Sequence, residues 1–201
     1  MPHELNHMGT GRLEAFSDGV IAIIITIMVL EFKVPHDTSI SALISLWPTF
    51  MCYALSFIYV GIYWNNHHHM LLVAEEINGR ILWANLHLLF WLSLIPFTTA
   101  WMGENHFVAL PTALYGVVLF MAATAYYILA KLLIAHHSSH STIALALRKT
   151  TKEILSLICY AAAIPVAFYL PWASMLLYGL VASLWLIPDK RIEKRITNDQ
   201  K

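Results

Sequence analysis

Asp18 is the residue most able to do chemistry in this chain. It lies in GRLEAFSDGVIAIIITIMVLE, residues 11 to 31, where apolar sequence runs on to Leu30. A carboxylate in hydrocarbon costs roughly 2.5–3.5 kcal/mol even on lenient insertion scales. Two readings justify that cost. Asp18 ligates a proton or cation, or it clasps a neighbouring helix near the cytoplasmic end, satisfied by Arg12, a histidine or an asparagine. Histidines form a second set. His67-His68-His69 and His136-His137-x-x-His140 are two clusters among eleven histidines. His136 and His140 have the i, i+4 spacing of metal ligands. No third cluster and no paired carboxylate accompanies them, so the expected metal set is none. Interfacial histidines, one or two of them joining the Asp18 network, are the plainer reading. His87, near Asn85, reads as a buried polar clasp with a pH-sensing role as the alternative.

These residues sit in a strongly apolar chain. Of 201 residues, 59% are hydrophobic and 12% charged, and mean hydropathy is +0.64. Soluble domains are nearer half apolar and a quarter charged. The composition predicts an all-α integral membrane protein occupying 1–201 as one domain in the lipid bilayer. Zero net charge argues against nucleic acid as a partner. Cys52 and Cys159 fall in apolar runs and read as buried thiols without a disulfide framework. The N-terminus lacks a basic n-region and short h-region, so the first span is expected to persist in the mature protein.

Six spans of near 20 residues are expected, at roughly 13–32, 42–64, 78–101, 108–134, 151–169 and 172–188. With six spans, Arg12, Arg80, Lys131, Arg148, Lys149, Lys152, Lys190, Arg191, Lys194, Arg195 and Lys201 fall on one side. Only Lys33 falls on the other. The positive-inside rule then makes both termini cytoplasmic. Trp47, Trp101 and Trp172 mark outer ends, Trp64, Trp83 and Trp185 inner ends, and Trp91 lies mid-span. Pro48 and Pro96 are placed near outer ends, so no span is expected to break at its middle. No internal repeat is visible.

On a helical wheel, Arg12, Gly19, Ile23, Thr26 and Leu30 share an arc of about 60°, flanked by Phe16 and Ile27. Asp18 lies off that stripe by more than roughly 90°, with Ser17 farther round. In ordinary packing, Gly19 would be a close-approach point and Thr26 would bond its own i−4 carbonyl. Val60-Gly61-Ile62-Tyr63 looks faintly like a potassium-channel filter. It lies inside a continuous apolar span rather than a re-entrant loop, so selectivity must be sought in side chains.

Arg12-x-x-x-Phe16-Ser17-Asp18-Gly19-Val20, followed by Ala22-Ile23, Thr26 and Leu30-Glu31, resembles the first-helix signature of the transmembrane protein 175 family of potassium channels. Trp64-Asn65 with His67 and His68 extends the resemblance. It implies a homotetramer in the prokaryotic cell membrane, conducting K+ and other monovalent cations without a cofactor or enzymatic activity. The first helix would line a central pore. Ile23, Ile27 and Leu30 would narrow it, and Thr26 would bear on selectivity. Arg12, Ser17 and Asp18 would form a polar network with residues of the next two helices: His67, His68 and Asn85. Glu31 marks the outer mouth, either as a solvated helix end or as a ring that concentrates cations. The alternative is a proton-coupled secondary transporter using Asp18 and the histidines. Such proteins usually show inverted repeats and broken helices.

Overall fold

A computed structural model describes residues 9–72, 74, 76–136 and 151–186. His137, His140, Arg148, Lys149, Lys190, Arg191, Lys194, Arg195 and Lys201 lie outside the described residues. Every element described is a helix. In chain order these are α1 (Gly11–Leu30), α2 (Ile40–Ser45), α3 (Trp47–Leu72), α4 (Gly79–Ser93), α5 (Ile95–Glu104), α6 (Ala109–His136), α7 (Thr151–Val166) and α8 (Pro171–Leu186). They form six runs that overlap the expected spans, because long apolar segments satisfy their backbone groups internally as helices. By length and composition, α1, the α4–α5 unit and α6 can each cross a membrane; α8 is a shorter apolar helix.

Two departures from the expected spans have local causes. The second run extends to Leu72 rather than stopping near residue 64, which puts His67-His68-His69 on helix α3. The third run is interrupted at Leu94, between α4 and α5. The interruption is one residue long and falls toward the end of the run, two residues before Pro96, and Gly79–Glu104 still reads as one span by length and composition. Pro96 has no amide hydrogen, and its ring crowds the carbonyl four residues back. The chain tightens there, with the Leu94 amide bonding the Trp91 carbonyl at 3.2 Å. Pro48 does the same two residues after Leu46, whose amide bonds Leu43 at 3.2 Å. Asn78 caps α4 by accepting from the amides of Arg80 at 3.0 Å and Ile81 at 3.1 Å, which covers orphan donors of the first turn.

Helix α6 is the centre of the bundle and packs against α4, α5, α7 and α8. Its buried positions include Ala113, Gly116, Ala122, Ala125 and Ala130, small residues that let neighbouring backbones approach. A Cβ at Gly116 would run into the Tyr178 hydroxyl. Helices α3 and α5 close up in the same way at Gly103, where a Cβ would lie 2.8 Å from Thr49 Cα. By contrast α1 sits at the bundle's edge against α3, α4 and α5. Only 28% of its apolar stretch is buried, against 50% for α4–α5 and 44% for α6. Both cysteines are free; Cys52 is buried and Cys159 half-buried.

Candidate functional site

Helix α1 divides into two faces. Leu13, Ser17, Ile21, Ile24 and Met28 are buried, and their spacing of three and four residues makes one stripe. The opposite stripe faces outward. Ile23 is 59% exposed, Ile27 41% and Leu30 78%; Gly19 and Thr26 are exposed beside them. Among the described residues, no atom lies within 4 Å of a Cβ built at Gly19, so its expected close approach has no partner there. The Thr26 hydroxyl donates to the Ile23 carbonyl at 2.9 Å. That is the i−3 carbonyl, not the expected i−4. Thr26 still presents its oxygen lone pairs, and it is the one neutral hydroxyl on this stripe.

The buried face carries a polar chain whose direction can be worked out. Asn85 donates through Nδ2 to Ser17 Oγ at 2.9 Å. Ser17 Oγ passes its own hydrogen to the Leu13 carbonyl at 2.8 Å. Asn85 Oδ1 must then accept, so His67 Nε2, 2.7 Å away, donates. Ser17, His67 and Asn85 are all fully buried, which makes each bond costly to lose. The Nδ1 atom of His67 has no partner among the described residues.

Asp18 is not part of that chain. Its carboxylate accepts from Trp64 Nε1 at 3.0 Å, so the partner is none of the three residue types expected. One turn earlier, Glu14 bonds His68 Nδ1 at 2.7 Å. The Trp64 and His68 rings stack, with centroids 6.0 Å apart and planes 15° off parallel. Arg12 is exposed and meets neither Asp18 nor the buried chain. The six residues expected in one network thus fall into a buried chain, two carboxylate pairs and a separate arginine. Glu14 and Trp64, which stand outside the expected network, supply the partners of His68 and Asp18. The clue was their spacing: 14 and 18 on one helix match 64 and 68 on the other, each a single turn apart.

At the C-terminal half of α1, Val20, Ile23, Ile24, Ile27 and Glu31 line a cleft of about 490 Å3 against Ser93, Pro96, Phe97 and Ala100. It opens beside the break at Leu94. Past the helix end, Lys33 pairs with Glu104 at 2.6 Å on the exposed surface. That hydrogen bond, with the carboxylate's charge, holds the Lys33 ammonium above its usual pKa. Glu31 is exposed at the C-cap.

His87 is half-buried and accepts from Trp91 Nε1 at 2.9 Å, so it bonds along its own helix rather than to Asn85. Val60-Gly61-Ile62-Tyr63 lies within α3. Among the described residues, no three histidine, cysteine or acidic side chains come together as a metal site.

A sequence model described as endosomal/lysosomal potassium channel TMEM175 matches residues 12–96. A relative from Chryseobacterium sp. (strain P1-3), named potassium channel HX13_20290, is 53% identical over 189 residues, covering 94% of this chain and 98% of its own length. Potassium channel Cha6605_3372 of Chamaesiphon minutus is 43% identical over 102 residues, 47% of this chain and 50% of that protein. The crystal structure of a lysosomal potassium-selective channel TMEM175 homolog from Chamaesiphon minutus superposes with a TM-score of 0.77 at 27% identity, covering 88% of this chain and 96% of that one. The potassium channel MtTMEM175 T38A variant shares the fold, with a TM-score of 0.60 at 17% identity over 99% of this chain and 100% of that one.

Proposed function

This chain belongs to the TMEM175 family of channels, and from that premise we propose that it conducts potassium passively through a pore lined by four copies of α1. It is a membrane channel rather than an enzyme. In this reading a homotetramer sits in the prokaryotic cell membrane, each subunit spans it six times, and both termini are cytoplasmic. Residues 1–201 form one channel domain, and the permeant ion is K+ with other monovalent cations.

One observation carries the reading. The stripe of Gly19, Ile23, Thr26 and Leu30 is exposed in the subunit, while the reverse face of the same helix is fully packed. Around a fourfold axis, Ile23, Ile27 and Leu30 would stack as successive apolar rings. Such rings offer an ion no ligands and, when narrow, exclude water, so they set the conduction barrier. Thr26, between them, brings an oxygen to the path and is assigned to selectivity. Four Glu31 carboxylates at the outer mouth would raise the local cation concentration. The buried chain from His67 through Asn85 to Ser17 and the Asp18–Trp64 pair fix the rotation of α1, which decides which stripe meets the axis.

The alternative is a proton-coupled secondary transporter, so conduction itself must be measured. Purified protein in planar bilayers should give currents whose reversal potential follows the potassium gradient. A reversal potential set by the proton gradient, or flux without current, would instead establish the transporter.

A further inference from the structure

A second polar feature lies away from α1. A cavity of about 30 Å3 opens between α3, α6, α7 and α8, walled by the rings of Tyr59, Tyr63, Tyr126, Tyr160 and Trp185 and reached by Glu153. The rings brace one another. Tyr63 and Tyr126 meet edge to face at 6.1 Å, and Tyr126 and Trp185 at 6.4 Å. Tyr59 and Tyr160 lie 6.3 Å apart.

Four of the neighbouring polar side chains are already committed. Trp185 Nε1 donates to Ser156 Oγ at 2.9 Å, which donates to the Lys152 carbonyl at 2.7 Å. The Asn66 amide donates to the Ile62 carbonyl at 2.8 Å, and the Tyr59 hydroxyl to the Tyr178 carbonyl at 2.6 Å. Glu153 Oε2 is buried with no partner among the described residues. A buried carboxylate oxygen left alone calls for a donor or a counter-charge. Lys131 is the charged group acting on Glu153 from α6, but its Nζ sits over the Tyr127 ring, 5.2 Å from the centroid. Lys152 is likewise turned over Trp185 at 5.9 Å.

We propose that this cavity binds one ammonium-sized protonated nitrogen, held by Glu153 Oε2 and the surrounding aromatic faces. A space of about 10–15 Å3 suffices for a water, and an ammonium ion is of similar size. Aromatic faces attract a desolvated cation, and the carboxylate supplies the charge and one acceptor. A bare metal cation fits worse, because it needs a shell of oxygen ligands and this lining is mostly ring carbon. The site lies off α1 and is independent of the pore.

The test is thermal unfolding of the full-length purified protein. A constant potassium chloride background keeps any pore site saturated, and ammonium chloride replaces N-methylglucamine chloride at fixed pH and ionic strength. Wild type should melt several degrees higher in ammonium. Glu153→Gln should lose at least half of that rise while its potassium current is unchanged. Tyr63→Leu, which removes a ring and keeps the carboxylate, should lose a comparable share and serves if Glu153→Gln does not fold. A full rise in both variants would place ammonium elsewhere, and no rise in wild type would mean the cavity holds water alone; either overturns the site.

Discussion

Trp64 of α3 donates its indole N–H to the Asp18 carboxylate of α1 at 3.0 Å. The bond sets a register. Asp18 meets Trp64 and, one turn away, Glu14 meets His68, so two helices are pinned at two consecutive turns. The Trp64–His68 stack keeps the two donor rings nearly parallel. The carboxylate is thereby spent on the neighbouring helix rather than on the exposed stripe.

Loss of that bond should cost stability and leave selectivity alone. Asp18→Ala and Trp64→Phe should each lower the melting temperature or the yield of assembled channel, by about 0.5–1.5 kcal/mol for the bond. Combined, they should cost clearly less than the sum of the two singles, because the second change has no bond left to remove. Normal assembly in Asp18→Ala with an altered permeability ratio would show that Asp18 acts on the ion.

Thr26→Val keeps the shape and removes the hydroxyl. We expect a lower preference for potassium over sodium with an unchanged melting temperature, since Thr26 is exposed and its bond to the Ile23 carbonyl lies within one turn. Bi-ionic reversal potentials decide this. An unchanged ratio would leave Thr26 a helix-surface residue.

Ile23→Asn and Ile23→Gly should raise cation current and weaken discrimination among cations, the first by adding a ligand and the second by opening the ring. The choice of control depends on the structure. Ile21, on the far side of the wheel, is only 2% exposed, so changing it damages packing. Val29, 48% exposed and about 120° from Ile23 on the wheel, is the better control and should leave current nearly unchanged. Equal effects at both positions would remove this stripe from the pore.

Gly103→Ala should destabilise the protein by about 1–3 kcal/mol, the usual range for overpacking. Its Cβ would meet the backbone of Thr49 at 2.8 Å, and a backbone atom cannot turn aside as a side chain would. Gly61→Ala, which meets nothing within 4 Å, should be close to neutral or slightly stabilising. Melting temperatures of the pair measure the difference, and similar values would mean that α3 and α5 separate at little cost.

The sequence by itself determined which segments are helices and which residues of α1 share a face. Apolar length dictates the first, and the 100° step dictates the second. Ser17, His67 and Asn85 were reachable through the family resemblance of the first-helix motif; polarity in apolar helices says only that such groups must find partners. The partnerships themselves were decided only in three dimensions. Asp18 was matched to arginine, histidine or asparagine, yet it meets Trp64, a residue whose position had read as an interfacial anchor. Periodicity says which side of a helix a residue occupies, but not which neighbouring helix lies there or at what height. The break at Leu94 shows the same limit, because Pro96 guarantees a lost hydrogen bond while packing decides whether the helix bends or parts. Glu153 was read only as part of a span, and its cavity exists because four helices bring rings together from positions 59 to 185. Such sites depend on the relative rotation and offset of packed helices, and one-dimensional spacing does not encode these.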